Sequence, residues 1–190
     1  MRKKLSSFFR GSALSDIQTE ILLQKMQAVC PDITALKTEW RFYVDTSAPL
    51  TEEETRRLSW LLAETFQPEQ FGTESMLDNG KILEVGPRLG IVTPHSTNAV
   101  SICHACGLTK VTRVEKARRY RLEMTPGTQL TPEQSHKISQ LLYDRMTEEL
   151  YEKALKTFDP RITPDPVRTI PLIEKGLDAF KEFAKETGLS

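Results

Sequence analysis

Cys103 and Cys106 form a C-x-x-C pair, the spacing at which two thiols can carry out redox chemistry or bind a metal. A redox pair lies at a helix N-terminus, where the helix dipole lowers the thiol pKa, but this pair directly precedes Gly107, a typical helix C-terminal residue. Zinc needs two further ligands, and the sequence has no second Cys or His pair. We therefore expect packed, reduced thiols and no metal ligands.

The loop over residues 86–98 is the second candidate for chemistry. A basic side chain, the free N–H groups of a helix start and several hydroxyls could together hold a phosphate or a carboxylate. A simpler interpretation is that Thr93 caps the helix and that Arg88 pairs with a carboxylate. The loop lacks the glycine spacing of a nucleotide-binding motif. The candidate residues for anion binding or domain contact are Arg88, Thr93, His95, Ser96, Thr97 and Asn98.

A strongly basic stretch follows this loop, with Lys or Arg at positions 110, 113, 116, 118, 119 and 121. We interpret it as the exposed face of a strand. A sheet that binds RNA needs paired aromatic residues on which bases stack, and here Tyr120 is alone. We expect no nucleic-acid partner. The sequence offers no convincing carboxylate pair or Ser-His-Asp set, so we predict no catalytic residues.

Composition gives no sign of a membrane or a polyanionic partner. The 190 residues contain 26 Lys and Arg against 26 Asp and Glu, so the net charge creates no attraction to anionic surfaces. No apolar run approaches the roughly 20 residues that span a bilayer, and the basic start lacks a signal-peptide core. Three cysteines fit reduced thiols. We expect a soluble, cytoplasmic protein.

The first half of the chain, residues 1–66, predicts a strand, a helix, a strand and a helix. A short strand covers 4–10, and Ser15 with Gln18 opens a helix that ends near Cys30. Alternating large residues predict a strand over 33–45. A second capping box at Thr51 opens the next helix, and the Gly- and Pro-containing stretch 67–80 is a loop.

The second half, residues 81–152, repeats this order. It predicts a short strand from position 82, a helix capped by Thr93, a long strand over 111–124, and a helix opened by Thr131 that continues through Met146 to Leu150. Matching landmarks in the two halves are 76 residues apart at Cys30 and Cys106. We therefore predict an α+β fold of duplicated, ferredoxin-like strand-helix-strand-helix units, with a mainly antiparallel sheet and helices on one face.

The last part of the chain predicts a linker and a docking helix. Prolines make residues 153–171 an extended linker, and residues 172–190 predict the start of a helical linker domain. Its apolar stripe should pack on something, either on the preceding domain or, as we prefer, on a domain that this chain lacks. The predicted docking residues are Ile173, Leu177, Phe180 and Ala184.

The stretches 84–108 and 111–123 (EVGPRLGIVTPHSTNAVSICHACGL and VTRVEKARRYRLE) resemble the N-terminal region of the formylglycinamide ribonucleotide amidotransferase family. The stretches 142–152 and 173–180 are similar to later landmarks of that family. The resemblance implies a non-catalytic module, similar to a dimer of the small purine-synthesis subunit. It also implies partners, the synthetase and glutaminase domains of the same enzyme, in cis or as separate chains.

The resemblance further implies the chemistry of the complete enzyme, which converts an amide of its ribonucleotide substrate to an amidine with glutamine nitrogen. ATP and Mg are implied for that enzyme, and no cofactor is implied for this chain. The synthetase and glutaminase signatures are missing from these 190 residues. Our leading hypothesis is an assembly module of the amidotransferase. The alternative is a free-standing, ferredoxin-like regulatory or anion-binding domain.

Overall fold

A computed structural model describes residues 5–63, 68–77, 80–159, 169–170 and 172–187. The chain divides into two compact units, Met1–Pro160 and Arg161–Ser190. Within the described residues no helix is both long and apolar enough to cross a bilayer. The described strands are β1 (Ser6–Gly11), β2 (Ile33–Thr46), β3 (Phe71–Gly72), β4 (Ile82–Pro87), β5 (Val111–Met124) and β6 (Glu148–Tyr151). The α-helices are α1 (Asp16–Val29), α2 (Glu52–Ala63), α3 (Pro94–Ala105), α4 (Pro132–Leu142) and α5 (Leu172–Thr187).

The first unit is built on one six-stranded sheet in the order β3-β1-β2-β5-β4-β6. Every neighbouring pair is antiparallel, and the two central strands, β2 and β5, pair along almost their whole length. This confirms the predicted α+β class and antiparallel sheet. The two central strands are both 14 residues long and occupy equivalent places in the two halves. The element order agrees with a duplication, which itself stays a hypothesis.

The predicted helix starts are present with their caps. Ser15 and Gln18 form a reciprocal capping box at α1, and Thr131 and Gln134 form another at α4. Thr93 caps α3, with Pro94 as its first residue. The α3 helix ends before Gly107, whose φ of 80° is the left-handed conformation that glycine tolerates best. Local sequence therefore sets the starts of these three helices and the end of α3.

The helices of the first unit pack on one face of the sheet, as predicted. Phe42 and Val44 of β2 lie in a cluster with Leu58 of α2 and Cys103 of α3. Leu36, on the same face of β2 because strand side chains alternate, lies in a second cluster that contains residues of α1 and α4. Each cluster therefore joins one helix from each half, so the halves share their core.

The other face of the sheet is also buried. The segments that cover it contain no long helix or strand. Tyr43 and Ala117 are buried there in a cluster with Phe158, and Leu155 packs against the same cluster. The backbone N–H of Leu155 also donates to the Tyr43 hydroxyl at 3.2 Å. The beginning of the segment predicted as a linker from 153 thus packs on the sheet, and the first unit extends to Pro160. Residues 160–168 lie outside the described part.

Two local predictions in the first unit are wrong. The α4 helix ends at Leu142, where the sequence analysis continued it through Met146 to Leu150. A turn replaces its last part, since the Asp144 carboxylate accepts from the Met146 N–H at 2.8 Å. Leu150 instead lies in β6 and pairs with Val85 of β4, because β4 would otherwise leave an unpaired edge. The predicted loop 67–80 likewise contains β3, which pairs with β1.

The second unit contains α5, which is interrupted where the sequence analysis expected a continuous helix. Gly176 has a φ of 67° and non-helical geometry, a conformation that glycine alone adopts easily. Ile173 precedes this break, so helical spacing does not align it with the stripe. Leu177, Phe180 and Ala184 follow the break at spacings of three and four, which keeps them on one side. Positions 171 and 188–190 lie outside the described residues.

Candidate functional site

The hydrogen-bond donors of Thr93 at the start of α3 are bound by a carboxylate of the same chain, Glu115. The Thr93 hydroxyl donates to the Glu115 carboxylate at 2.6 Å, and the Thr93 N–H donates to it at 3.2 Å. Thr93 Oγ1 in turn accepts from the Ser96 N–H at 3.0 Å, which is the cap. Arg113 Nε donates to the same buried Glu115 at 3.0 Å. These are donors that an anion-binding site would have offered to a ligand, and here Glu115 takes them.

Ser96, another candidate, is buried and serves the sheet. Its hydroxyl accepts from the backbone N–H of Val114 at 3.1 Å. This N–H lies on β5 beyond the last residue that pairs with β4, where the ladder gives it no partner. Ser96 therefore satisfies a backbone donor that would be costly to leave unpaired. This role could not be predicted from the sequence, because Ser96 and Val114 meet only in the folded chain.

The remaining candidates of the 86–98 loop lie at or near the surface. Arg88, Thr97 and Asn98 are exposed, and His95 is half-buried. The Arg88 backbone N–H donates to the Thr147 carbonyl at 3.0 Å, which ties the loop to the turn before β6. Its guanidinium forms no ion pair with any described residue. Arg88, Thr97 and Asn98 are therefore accessible from solvent.

Two cavities lie on either side of His95. The first, of about 270 Å³, lies between α2 and α3, and its lining is mostly apolar: Phe42, Leu61, Leu62, His95, Asn98, Ala99, Ile102 and Cys103. The second, of about 170 Å³, has several charged residues in its lining, which includes Trp40, Thr93, Glu115, Lys116, Arg118 and Glu148. Arg118 pairs with Glu148 at 2.6 Å, and Lys116 lies 4.6 Å from the centre of the Trp40 ring. The cations of the second cavity therefore have internal partners.

The basic strand β5 is neutralised inside the protein, which corrects the prediction of an exposed basic face. Arg119 forms ion pairs with the buried carboxylates of Glu39 and Glu84, and Arg41 pairs with Glu84 at 3.2 Å. The Tyr43 hydroxyl donates to Glu84 as well. Burial, together with the Glu84 charge, raises the pKa of Tyr43. We name these five residues the buried charge cluster.

The buried charge cluster also binds a loop. Ser75 donates its hydroxyl to Glu39 at 2.7 Å, and the Met76 N–H donates to the same carboxylate at 2.8 Å. Glu39 and Arg119 lie directly opposite each other on β2 and β5, and Glu84 lies opposite Arg119 on β4. The charges therefore alternate across three strands. This arrangement satisfies charges that the sheet encloses, and its effect is structural.

The prediction of packed thiols holds for Cys30 and Cys103, which are buried, whereas Cys106 is only half-buried. Cys30, Cys103 and Cys106 are free, and Cys103 is buried in the cluster between α2 and α3. Burial and the neighbouring Cys106 raise the pKa of the Cys103 thiol, which disfavours the reactive thiolate. Within the described part of the chain, no group of three or more His, Cys, Asp or Glu side chains could hold a metal ion.

Comparison with known proteins gives the family. The model of the family described as "Formylglycinamide ribonucleotide amidotransferase N-terminal" matches residues 39–158, more than half of the chain. The chain belongs to this family. The match begins in β2 and ends at the packed segment that contains Phe158, so it includes the 86–98 loop and both cavities. The resemblance found in the sequence is thus confirmed.

Three curated relatives extend the match over nearly the whole chain. The chain is 38% identical to "Probable phosphoribosylformylglycinamidine synthase, chloroplastic/mitochondrial" of Arabidopsis thaliana, over 96% of its own length. It is 36% identical to the Dictyostelium discoideum phosphoribosylformylglycinamidine synthase over 98%, and 35% identical to that of Homo sapiens over 88%. It spans only 13%, 14% and 13% of these relatives, in that order.

Proposed function

We propose that this chain is the non-catalytic N-terminal assembly module of a phosphoribosylformylglycinamidine synthase, the enzyme that forms formylglycinamidine ribonucleotide in purine biosynthesis with ATP and glutamine. The observation that carries this proposal is the match to an amidotransferase family named for its N-terminal region, together with relatives about seven times longer than the chain. The catalytic groups, with ATP and Mg, belong in this proposal to the rest of the enzyme.

The geometry of the polar groups supports a structural role. Glu39, Glu84 and Glu115 are buried, and each is bonded to arginine side chains of the same sheet. A catalytic acid or base must reach a substrate proton, and these carboxylates face the protein's own donors. The buried Cys103 has a raised pKa and is equally unsuited to attack a substrate. What the module offers to other molecules is its outer surface.

In this proposal the partners are the synthetase and glutaminase domains of the same enzyme, in cis or as separate chains. The contact residues are the exposed ones of the 86–98 loop, Arg88, Thr97 and Asn98, and the α5 stripe that contains Leu177 and Phe180. The cytoplasm is the proposed compartment. The Arabidopsis relative carries the words "chloroplastic/mitochondrial" in its name.

The test is complementation of an enzyme that lacks its own N-terminal module. The remainder of the synthase from the same source is produced separately, and amidine formation is measured with glutamine or ammonia, ATP and Mg, with and without the 190-residue chain. We expect the chain to restore activity while having none alone. Deletion of residues 172–190 should weaken restoration. Unchanged activity on addition of the full chain would contradict the assembly role.

The alternative, a free-standing anion-binding domain, has weaker support because Glu115 takes the Thr93 donors. Its test is an NMR titration of the chain with inorganic phosphate. Saturable shifts confined to residues 88–98 would favour it, whereas small, non-saturating shifts spread over the surface would favour the assembly module.

A further inference from the structure

We propose that the apolar cavity between α2 and α3 is a docking groove for a segment of the remainder of the same enzyme, which inserts two or so large apolar side chains into it. This inference rests on the proposed function and adds the surface that makes the contact. The groove shares His95 and Asn98 with the candidate residues of the 86–98 loop and adds residues of β2, α2 and α3 to them.

The lining of the groove suits the apolar side chains of a partner. The cavity has a volume of about 270 Å³, at the small end of the range of ligand sites. Phe42 and Cys103 lie at the buried inner end, and Leu61, Ala99 and Ile102 line the sides. Asn98 and His95 supply the polar part of the lining. An apolar centre with a polar rim is the usual composition of a protein interface.

The outer side of α2 adds one large exposed apolar side chain, Trp60, which follows the charged residues Glu53, Arg56 and Arg57 and directly precedes the groove residue Leu61. Trp60 is 72% exposed. It lies three residues after Arg57, whose guanidinium donates to the Cys106 carbonyl at the end of α3. Residues three apart on a helix are neighbours, so Trp60 lies on the same side of α2 as this bridge to α3. Ile102 of α3 is 54% exposed. Trp and Arg are the residue types most enriched at interface centres.

The helices α1 and α4 show that two neighbouring helices on this sheet can bury the apolar side chains between them completely. Met26 of α1 and Ile138 of α4 are both fully buried in the second cluster. Among the described residues, by contrast, none fills the seam between α2 and α3 in the same helix layer, and the cavity lies there. An open apolar seam costs hydration free energy unless something covers it.

The occupant we assign is the rest of the synthase. All groove residues lie between positions 39 and 158, the range that matches the N-terminal family of a much longer enzyme, and the relatives contain about seven times the length of this chain. When the groove and the segment that binds it belong to one polypeptide chain, the segment is present at a high effective concentration. A weak, small contact surface is therefore sufficient.

The test compares Ile102→Glu in the groove lining and Trp60→Glu on the adjoining part of α2, together called the groove variants, with two matched controls, Ile17→Glu and Ile21→Glu. The controls lie on α1, outside the groove, and are 72% and 49% exposed, close to the 72% of Trp60 and the 54% of Ile102. Binding of each full 190-residue variant to the remainder of the synthase is measured by calorimetry. We expect the groove variants to bind about 30-fold or more weakly, as for a hot-spot residue, and the controls to bind like the wild type.

The outcomes separate this inference from the proposed function. Wild-type binding with equal affinity for groove and control variants would overturn the groove and leave the assembly role intact. No wild-type binding at all would overturn both. A chain that dimerises alone, and whose dimer is disrupted by Trp60→Glu but not by Ile17→Glu in sedimentation, would show a second copy in the groove and overturn the assigned occupant. Equal urea midpoints for all four variants exclude unfolding as the cause of weak binding.

Discussion

Replacement of Glu39 by Gln tests whether the buried charge cluster stabilises the sheet. Glu39 is fully buried and accepts from Arg119, from the Ser75 hydroxyl and from the Met76 N–H. The amide keeps the shape but removes the charge and turns one acceptor oxygen into a donor. Arg119 then keeps one carboxylate partner in the cluster, Glu84 at 3.2 Å, beside the Ser75 hydroxyl at 2.8 Å.

The expected loss is about 3 kcal/mol of unfolding free energy. Removal of one partner from a buried ion pair costs roughly 3 to 5 kcal/mol, and the remaining Glu84 contact keeps the loss near the lower end. A domain of this size has roughly 5 to 15 kcal/mol in total, so the change is large. Urea unfolding followed by tryptophan fluorescence measures it, because Trp40 lies next to Glu39 on β2.

The control is Glu52→Gln, which breaks an exposed pair with Arg56 on α2, at 3.6 Å. Such surface pairs contribute less than about 1 kcal/mol, so we expect little change. Hydrogen exchange should also increase at Met76, whose N–H loses its acceptor. If the unfolding free energy of Glu39→Gln lies within about 0.5 kcal/mol of the wild-type value, the buried charge cluster does not stabilise the sheet. The same conclusion follows if Glu39→Gln and Glu52→Gln lose equal amounts of unfolding free energy.

Three further predictions concern the loop, the thiols and the buried tyrosine. Thr93→Ala should lower the unfolding free energy by about 2 to 3 kcal/mol, and Thr131→Ala by about 1 kcal/mol. Both residues cap a helix, but of the two only Thr93 also donates to the buried Glu115. Equal losses of unfolding free energy in urea titrations of the two variants would contradict this. With an alkylating reagent under native conditions, mass spectrometry should find Cys106 modified well before the two buried thiols, and fast labelling of all three would oppose the packed arrangement. Because burial and Glu84 raise the pKa of Tyr43, the stabilising contribution of its neutral hydroxyl should be complete below about pH 10 and decrease as the pH rises further. The Tyr43→Phe variant should therefore lose less unfolding free energy between pH 9 and 11 than the wild type. The same dependence of unfolding free energy on pH in both proteins would refute this.

The parts of the fold that local chemistry determines could be predicted from the sequence. The caps at Ser15, Thr93 and Thr131, the left-handed Gly107 and the bounds of β5 all follow from residues within a few positions of one another. These features depend on backbone donors at helix ends and on strand alternation, which any chain segment shows on its own.

Pairings over long separations could not be predicted. Glu39 and Arg119 are 80 residues apart, and Leu155 reaches Tyr43 across 112 residues. The β6 strand has a helix-like apolar spacing in the sequence and becomes a strand only because β4 offers an edge. In the site, Thr93 was identified as a cap, but its partner Glu115 was assigned to an exposed strand. Each of these errors concerns a contact that the folded sheet creates.

Alternating charges on β5 would ordinarily indicate a solvent-exposed face, since antiparallel sheets often have one apolar and one wet side. Here Glu84, Arg119 and Glu39 face one another across three strands, so the charged face is enclosed although its sequence is polar. Loop residues and Phe158 complete the cover. In the described part of the chain, both faces of this sheet are covered by the protein's own residues, which leaves no open sheet face there for the base stacking that the RNA hypothesis required. In the proposed assembly module, contacts with other domains are made by loop tips and outer helix surfaces, and among these the seam between α2 and α3 combines a cavity with exposed apolar side chains.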